Sequence, residues 1–177
     1  WSSDVCSSDL FVKLANLNGH YIRESDDNRL VELIRPRLEA LIGRPLDQAG
    51  AARLARGMAG LKPRAKTLVD LAESAAFYVR PRPLTLNEAA AKLVAGDGPA
   101  RLGIARTALA AVTDWKAVSA EAAIRDGAAA AGLKLGDLAQ PLRAALAGSN
   151  VSPPIFEVME VLGREETLGR VDDTLKH

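Results

Sequence analysis

Two histidines, one cysteine and three pairs of adjacent carboxylates are the residues whose types could support acid–base, nucleophilic or metal chemistry. His20 is the only internal histidine, since His177 ends the chain, and the only cysteine is Cys6. These residues cannot assemble a Ser-His-Asp or Cys-His set. The sequence also lacks a glycine-rich loop followed by Lys-Ser/Thr. We therefore expect no catalytic residue and no metal site in this chain.

The carboxylate pairs have an ordinary structural explanation as well. They flank predicted helix starts or polar helix faces, so we interpret them as solvated surface rather than as metal ligands. His20 stands in an Asn-Gly-His-Tyr stretch, where a structural hydrogen bond is a better interpretation than a general base. The three pairs are Asp26-Asp27, Glu165-Glu166 and Asp172-Asp173.

Basic residues are concentrated in the middle of the sequence. From Arg35 to Arg82 there are ten Lys/Arg and four Asp/Glu, whereas the whole chain has 23 and 22, a net charge of +1. A basic segment between acidic ones is a plausible footprint for a polyanion. Wetting of a helix surface explains the same charges equally well, so charge alone leaves both interpretations open.

The composition is that of a soluble globular protein. The chain has 177 residues, of which 48% are apolar and 25% charged, and this length suits one ordinary domain or two small ones. No apolar run approaches the ~18 residues that a membrane span needs. A single cysteine cannot form an internal disulfide.

Apolar residues recur at helical spacing along almost the whole chain, and no segment alternates with period two. We therefore predict an all-α fold without a sheet. Within residues 30–41, Pro36 should kink the helix or start a new one, because proline lacks the N–H that the helix needs. Pro63 is predicted to lie in the first turn of a helix that extends to Val79.

Capping residues and prolines set the predicted boundaries in the second half. Residues 87–94 are predicted to form a short helix. Ser119 should cap a helix that stops at Gly132. Ser152, followed by two prolines, predicts another N-cap. Two prolines within residues 80–84 make that stretch the best candidate linker.

The first ten residues, WSSDVCSSDL, differ in character from the chain after them. They contain four serines and a near-repeat, and they lack the basic and apolar regions of a secretory signal. They resemble the translation of a short-read sequencing adapter, so we expect residues 1–10 not to be native. On that interpretation Trp1 and Cys6 carry no information, and the natural protein continues upstream of Phe11.

Four stretches of the chain form an ordered set of motifs. They are KLANLNGHYIR at 13–23, LIRPRL at 33–38, GLKLGDLAQPLRAAL at 132–146, and GSNVSPPIFE at 148–157 with its continuation VLGREETL at 161–168. Each motif is weak alone. Their order and spacing together resemble the C-terminal part of the bacterial glutamate–tRNA ligases, and the similarity covers essentially the whole chain from Phe11.

The resemblance implies two consecutive helical bundle domains that form an anticodon-binding cage. Residues 11–23 would be the end of a stem-contact region, residues 24–82 the first part of the anticodon-binding region, and residues 83–177 the second part. The family's catalytic domain, which uses ATP and Mg²⁺ to attach glutamate to tRNA, lies upstream. The resemblance therefore implies a tRNA-binding fragment that is inactive alone and holds no cofactor.

The resemblance also assigns a base contact. In this family the second arginine of Arg-Pro-Arg contacts the third anticodon base, and that residue here is Arg37. Arginine only donates hydrogen bonds, so it suits the O2 and N3 acceptors of cytosine better than the N1–H and N2–H donors of guanine. Glutamate tRNAs end the anticodon in C and glutamine tRNAs in G, so Arg37 indicates a discriminating enzyme. A salt bridge to Glu39 or another nearby acid is the ordinary structural explanation.

Other loop contacts of the family map onto the second half of the chain. Ser152 stands where some members have threonine, and Pro154 where some have glycine. Free N–H groups at a helix start can meet phosphate or base acceptors. The mapped residues are Arg143, Ser152, Pro153 and Ile155. The candidate phosphate contacts are Arg35, Arg44, Arg64 and Lys66, with Arg53, Arg56 and Lys62 as further basic side chains of the same segment.

The resulting expectation is a cytoplasmic monomer that binds the glutamate tRNA, tRNA(Glu), and neither DNA nor a membrane. Two alternatives remain open. One is the anticodon cage of a class I lysyl-type tRNA ligase. The other is a helical protein–protein interaction module, which predicts no salt-dependent RNA binding and no effect of changing Arg37.

Overall fold

Helices are the only regular elements in the part of the chain that the computed structural model describes. This part comprises the backbone of residues 4–176 and the side chains of residues 10 and 12–176. No strand occurs within it, which confirms the predicted all-α fold. Trp1, the side chain of Cys6 and His177 lie outside the described residues. The chain divides into two compact units, Trp1–Val79 and Arg80–His177, and the sequence prediction places this boundary between residues 82 and 83.

The first unit is built from α-helices joined by short connections. Two 3-10 helices flank its last α-helix, at Lys62–Arg64 and Ala76–Tyr78. The α-helices are α1 (Asp4–Glu24), α2 (Asp27–Ile42), α3 (Gln48–Leu61) and α4 (Leu68–Ala75). Helix α2 packs against both α3 and α4 and is therefore the centre of this unit.

Helix α2 begins at a well-formed cap and buries one apolar stripe. The Asp26 carboxylate accepts a hydrogen bond from the Arg29 backbone N–H at 2.9 Å, which satisfies one of the N–H groups that a helix start leaves unpaired. Leu30, Ile34 and Leu38 are buried at successive turns of the helix. Their burial fixes which side of α2 faces the core and which faces solvent.

Pro36 does not start a new helix, so that part of the prediction is wrong. Helix α2 is assigned as one helix from Asp27 to Ile42 with Pro36 inside it. An interior proline costs about 3 kcal/mol. The buried side chains before and after it, Ile34 and Leu38, stay on one stripe, and each contributes roughly 1.5–3 kcal/mol of apolar burial. Continuity of that stripe outweighs the hydrogen bond that proline cannot make.

The helix predicted from Pro63 to Val79 is also wrong in its limits. Pro63 lies in the 3-10 helix Lys62–Arg64, and α4 begins only at Leu68. Thr67 and Asp70 form a reciprocal capping box, in which the Thr67 hydroxyl accepts from the Asp70 N–H at 3.0 Å and the Asp70 carboxylate accepts from the Thr67 N–H at 3.1 Å. This cap defines a new helix start that proline alone does not provide.

The second unit consists of helices that pack around α8. The elements in its described part are α5 (Glu88–Val94), α6 (Gly98–Ala110), α7 (Ala117–Ala130), α8 (Leu135–Ala147), α9 (Ile155–Leu162) and α10 (Arg164–Leu175). Asn87 accepts a hydrogen bond from the Ala90 N–H at 2.8 Å, so α5 matches the predicted short helix. Gly132, with φ of 69°, follows α7 and confirms the predicted stop.

Ser119 is not the cap of α7, contrary to prediction. The helix begins at Ala117 and contains Ser119 in its first turns. The Ala117 N–H instead donates to the Glu160 carboxylate of α9 at 2.7 Å. A cap supplied from 43 residues away along the chain depends on the tertiary fold, so a local serine signal could not reveal it.

A buried arginine ties the end of α8 to α10. Arg170 is 1% exposed; its Nε donates to Glu166 Oε1 at 2.7 Å and its Nη1 to the Leu146 carbonyl at 2.6 Å. Leu146 lies in the last turn of α8, where carbonyls have no partner inside the helix. Arg82 lies beside the same acid, with its Nε 3.6 Å from Glu166 Oε2. The segment before α5, through Arg82, and the end of α8, through the Leu146 carbonyl, therefore both contact the Glu166–Arg170 ion pair of α10.

Gly148 closes α8 at a point that no other residue fits. Its φ is 68°, and a Cβ at this position would lie 2.7 Å from the Thr85 carbonyl oxygen. Its own carbonyl accepts from the Asn87 N–H at 2.9 Å. The close approach of residues 85–87 to the end of α8 therefore requires the missing side chain as well as the positive φ.

Replacing Gly148 with alanine should lower the free energy of unfolding by more than about 2 kcal/mol. The left-handed conformation alone costs a residue with a Cβ about 1–2 kcal/mol, and the contact with Thr85 adds to it. Gly132→Ala is the matched control, because Gly132 has φ of 69° and open space around the built Cβ. Urea denaturation of both variants measures the difference. Equal losses would contradict the importance of the Thr85 contact.

Candidate nucleic-acid interface

Arg37 lies on the solvent-facing side of α2 and is held by one ion pair. Its Nη2 donates to Glu73 Oε1 of α4 at 2.8 Å, and the two side chains are 48% and 55% exposed. The partner is thus a nearby acid, though not Glu39, which instead accepts a hydrogen bond from the Leu46 N–H. Because a guanidinium has five N–H groups, the bond to Glu73 leaves four of them without a partner among the described residues.

Exposed apolar side chains lie on the same helix faces as this ion pair. Leu33 and Leu41 stand four residues before and after Arg37 on α2, and Val69 stands four residues before Glu73 on α4. Residues four apart share a helix face. The exposed fractions are 49% for Leu33, 38% for Leu41 and 42% for Val69. We call these five residues the Arg37 patch: it combines unused donors with apolar surface, which suits an unstacked base.

Arg35, two residues before Arg37, is occupied by the protein itself. Its Nε and Nη2 donate to the two oxygens of Glu32 at 3.0 and 2.6 Å, and its Nη1 donates to the Leu46 carbonyl at 3.1 Å. The hydrogen bonds from Arg35 hold the pKa of Glu32 below its ordinary value. Arg35 therefore links α2 to the segment just before α3, and its bonded guanidinium is poorly placed to contact a phosphate as well.

Five other basic side chains of the middle segment fall into two groups. Arg44 donates to the Val79 carbonyl and Arg53 to the Tyr78 carbonyl, while Lys62 donates to the Ser25 carbonyl and pairs with Asp27. These three stabilise the first unit. Arg64 and Lys66 are exposed, and their side chains make no hydrogen bond or ion pair with any described residue. Among the predicted phosphate contacts, Arg64 and Lys66 are thus the best placed.

The predicted contacts of the second unit lie in α8 and in the segment that joins α8 to α9. Ser152 is 4% exposed, and its hydroxyl donates to the Pro153 carbonyl at 2.8 Å. The prediction that Ser152 caps the next helix is therefore wrong: α9 begins at Ile155 without a side-chain cap. The reason is that a residue before proline avoids the helical region, so Pro154 keeps Pro153 out of the helix.

Burial limits what these residues can offer to RNA. Pro153 is buried and Ile155 is 3% exposed, so the Ile155 side chain belongs to the core. A contact from this position to RNA would have to come from backbone groups at the start of α9. Arg143 is half-buried in α8 and is engaged with other groups of the protein. The solvent-facing residues of this segment are Asn150, Val151 and Pro154.

Glu73 is a residue of the candidate interface that sequence reasoning missed. It lies 36 residues from Arg37 along the chain, so no local pattern connects them. A usable signal did exist on α2. Leu33 and Leu41 lie beside the buried stripe of Leu30, Ile34 and Leu38, which makes the apolar surface wider than one packed face needs.

The carboxylate pairs have structural partners. Asp26 caps α2, Asp27 pairs with Lys62, and Glu166 pairs with Arg170. Arg106 donates to both oxygens of Asp172 at 3.0 and 3.3 Å, which holds the pKa of Asp172 below its ordinary value. Over the described residues, no group of three or more His, Cys, Asp or Glu could hold a metal ion. None of the described helices is long and apolar enough to cross a membrane.

The family comparison covers every residue of this interface. Residues 29–175 match the family model for an anticodon binding domain. The chain belongs to this family of anticodon-binding domains. Both the Arg37 patch and the α8–α9 segment lie inside the matched range, whereas α1 precedes it.

Relatives and solved structures agree with this assignment. The chain is 58% identical over 166 residues to glutamate–tRNA ligase 2 of Paramagnetospirillum magneticum. This match covers 93% of the chain and 35% of that protein. It is 53% identical over 172 residues to glutamate–tRNA ligase 2 of Rhodospirillum rubrum, with the same coverage of 93% and 35%. The chain therefore spans about a third of the length of the curated relatives it matches. The crystal structure of a glutamate tRNA ligase from Elizabethkingia meningosepticum has a TM-score of 0.73 at 23% identity, covering 92% of this chain and 31% of that one, which shows the shared fold.

Arg37→Gln should lower the free energy of unfolding of the anticodon-binding domain by less than about 1 kcal/mol, because half-exposed ion pairs contribute little. Arg170→Met should cost about 3 kcal/mol or more, since it removes a buried cation from Glu166 and from the Leu146 carbonyl. Thermal or urea denaturation measures both variants. A loss of several kcal/mol for Arg37→Gln would mean that Arg37 serves the fold rather than a ligand.

Proposed function

We propose that this chain is the anticodon-reading part of a glutamate–tRNA ligase and binds the anticodon loop of tRNA(Glu). The observation that carries the proposal is Arg37, whose free donors lie at the surface among exposed leucines. The family match and the names of the relatives at 53–58% identity support it. In the complete ligase, glutamate would be activated with ATP and Mg²⁺ in a part of the protein that this chain does not include.

The chemistry of the third anticodon base fits this surface. Bases of an RNA loop are unstacked and expose their Watson–Crick edges, which side chains can bond while apolar groups pack on the ring faces. Arg37 can donate to O2 and N3 of cytosine, and Leu33 and Leu41 lie on the same face to receive the ring. We infer that Arg37 favours tRNA(Glu), with C at this position, over tRNA(Gln), with G.

The remaining parts of the proposal concern the whole protein. The chain alone would bind RNA without catalysing aminoacylation. We propose a monomeric, cytoplasmic ligase whose Arg143, Ser152, Pro153 and Ile155 meet other parts of the anticodon loop, the last three through the backbone. The metal and nucleotide chemistry would come from the catalytic part, because the described residues offer no group of metal ligands.

Two anticodon stem-loops that differ only in C or G at the third anticodon position test the discrimination. The 177-residue chain should bind the C form more tightly by on the order of 1–3 kcal/mol, as expected for one well-read base. Arg37→Gln should remove this preference, whereas Arg125→Gln, which breaks a surface ion pair with Glu121 in the second unit, should keep it. Fluorescence anisotropy titrations at fixed salt measure the affinities of all three proteins for both stem-loops.

Each outcome of this titration has one meaning. Equal binding of the C and G forms by the wild-type chain would overturn the assigned specificity. Binding of neither stem-loop would overturn anticodon binding by this chain and would favour a protein–protein interaction module.

Arg64 and Lys66 should contribute to affinity through charge and not through base identity. Replacing either with glutamine should weaken binding of the C and G forms by the same factor. It should also reduce the slope of log affinity against log salt by about 0.7, the value for one phosphate contact on single-stranded nucleic acid. Arg35→Gln is the comparison, because Arg35 is already bound to Glu32 and Leu46 and should change the slope less. An unchanged slope in the Arg64 and Lys66 variants would exclude them as phosphate contacts.

A further inference from the structure

The Arg37–Glu73 pair presents both kinds of hydrogen-bonding group to solvent at one place. Arg37 Nη2 donates to Glu73 Oε1 at 2.8 Å, and both side chains are about half exposed. Four of the five N–H groups of Arg37 remain unused by this bond, and Glu73 Oε2 remains free to accept. Neither side chain makes another hydrogen bond or ion pair with a described residue. The pair therefore offers several donors beside one free acceptor.

Glu73 is held in place by the start of α4. The Thr67–Asp70 capping box fixes the first turn of that helix, and Asp70, three residues before Glu73, uses its carboxylate for that cap. Leu71, Ala72 and Ala75 are buried on the opposite side. Glu73 is thus the acid of α4 that is free to face a ligand, and its position relative to α2 is set by the core.

The donors and the acceptor together match one base edge. The Watson–Crick edge of cytosine carries two acceptors, O2 and N3, beside one donor group, the N4 amino group. A carboxylate is a suitable acceptor for cytosine N4. Building on the proposed function, we propose that Glu73 is a second specificity residue, which accepts a hydrogen bond from N4 of the third anticodon base while Arg37 donates to N3 and O2.

The other bases fit the intact pair less well. Uracil has a carbonyl oxygen in place of the N4 amino group and an N–H in place of N3, so it opposes both residues. Guanine offers one acceptor and two donor groups, so it can use fewer of the free N–H groups of Arg37 than cytosine can. Glu73 therefore adds discrimination chiefly against uracil, which has no N4 amino group to donate, while Arg37 carries the preference for cytosine over guanine.

The ion pair also explains why recognition of the base by Arg37 would depend little on attraction to phosphates. Glu73 balances the positive charge of Arg37, so the pair attracts phosphates weakly while keeping its hydrogen-bonding groups. Arg64 and Lys66, which lie in the same unit, carry no such partner among the described residues. The Arg37 patch is therefore suited to a base, and Arg64 and Lys66 to the backbone.

A stem-loop with pyrimidin-2-one at the third anticodon position tests the proposal, because this base keeps O2 and N3 and lacks only the N4 amino group. The wild-type chain should bind the cytosine stem-loop about tenfold more tightly than the pyrimidin-2-one one, since one hydrogen bond to a charged group has about that effect. The Glu73→Ala variant should bind the cytosine and pyrimidin-2-one stem-loops with affinities that differ by no more than about twofold. Glu73→Gln, whose amide oxygen still accepts, should keep part of the ratio.

Glu32→Ala is the matched control, because it removes another acid from an Arg–Glu pair of the same unit; it should keep the tenfold ratio. Circular dichroism checks that each variant is folded, which the exposed positions of Glu32 and Glu73 favour.

The outcomes separate this inference from the proposed function. If the wild-type chain prefers C over G and binds pyrimidin-2-one as well as cytosine, Glu73 does not read N4 and only this inference is overturned. The same holds if Glu73→Ala weakens both stem-loops equally and keeps their ratio, because Glu73 would then only hold Arg37. If the wild-type chain does not distinguish C from G, the proposed discrimination and the role of Glu73 are both overturned.

Discussion

Burial of one stripe of α2 is the constraint on which the candidate interface depends. Leu30, Ile34 and Leu38 are each at most 1% exposed, so rotation of α2 about its axis would expose two or three large apolar side chains at roughly 1.5–3 kcal/mol each. The residues one position earlier, Leu33 and Arg37, are consequently held at a fixed angle, about 100° away around the helix. The core thereby determines which way the Arg37 side chain faces.

A different constraint organises the second unit. Arg170 is charged and almost fully buried, and removing a partner from a buried cation is strongly destabilising. Its bonds to Glu166 and to the Leu146 carbonyl fix the end of α8 relative to α10. Gly148 and its contact with Asn87 come directly after this fixed end, so the segment that leads to Ser152 starts from a rigid point although it is itself irregular.

Local chemistry predicted the elements, but not a cap that a distant residue supplies. The all-α fold, the short helix after Asn87 and the stop at Gly132 depend on spacing and on residues adjacent in sequence. The cap of α7 comes from Glu160, which stands 43 residues from Ala117. The start of α9 was misjudged for a local reason, because a Ser-Pro-Pro sequence favours an N-cap only if the first proline can be helical, and the second proline prevents that.

The same distinction applies to the charges of the middle segment. Counting arginines and lysines treats every cation as available, yet the carbonyls of Leu46, Val79, Tyr78 and Ser25 accept from Arg35, Arg44, Arg53 and Lys62 respectively. These side chains close the ends of helices and connections, which is a structural role that the sequence does not distinguish from phosphate binding.

The side chains that remain exposed are a small set with separate chemistry. Arg64 and Lys66 carry uncompensated charge, which acts at a distance and on any phosphate. Arg37 carries charge compensated by Glu73, which acts only at contact and through the direction of its hydrogen bonds. Under the proposed function, the domain must find an RNA loop and then test a single base, and placing the two properties on different residues would let base discrimination persist when salt screens the attraction.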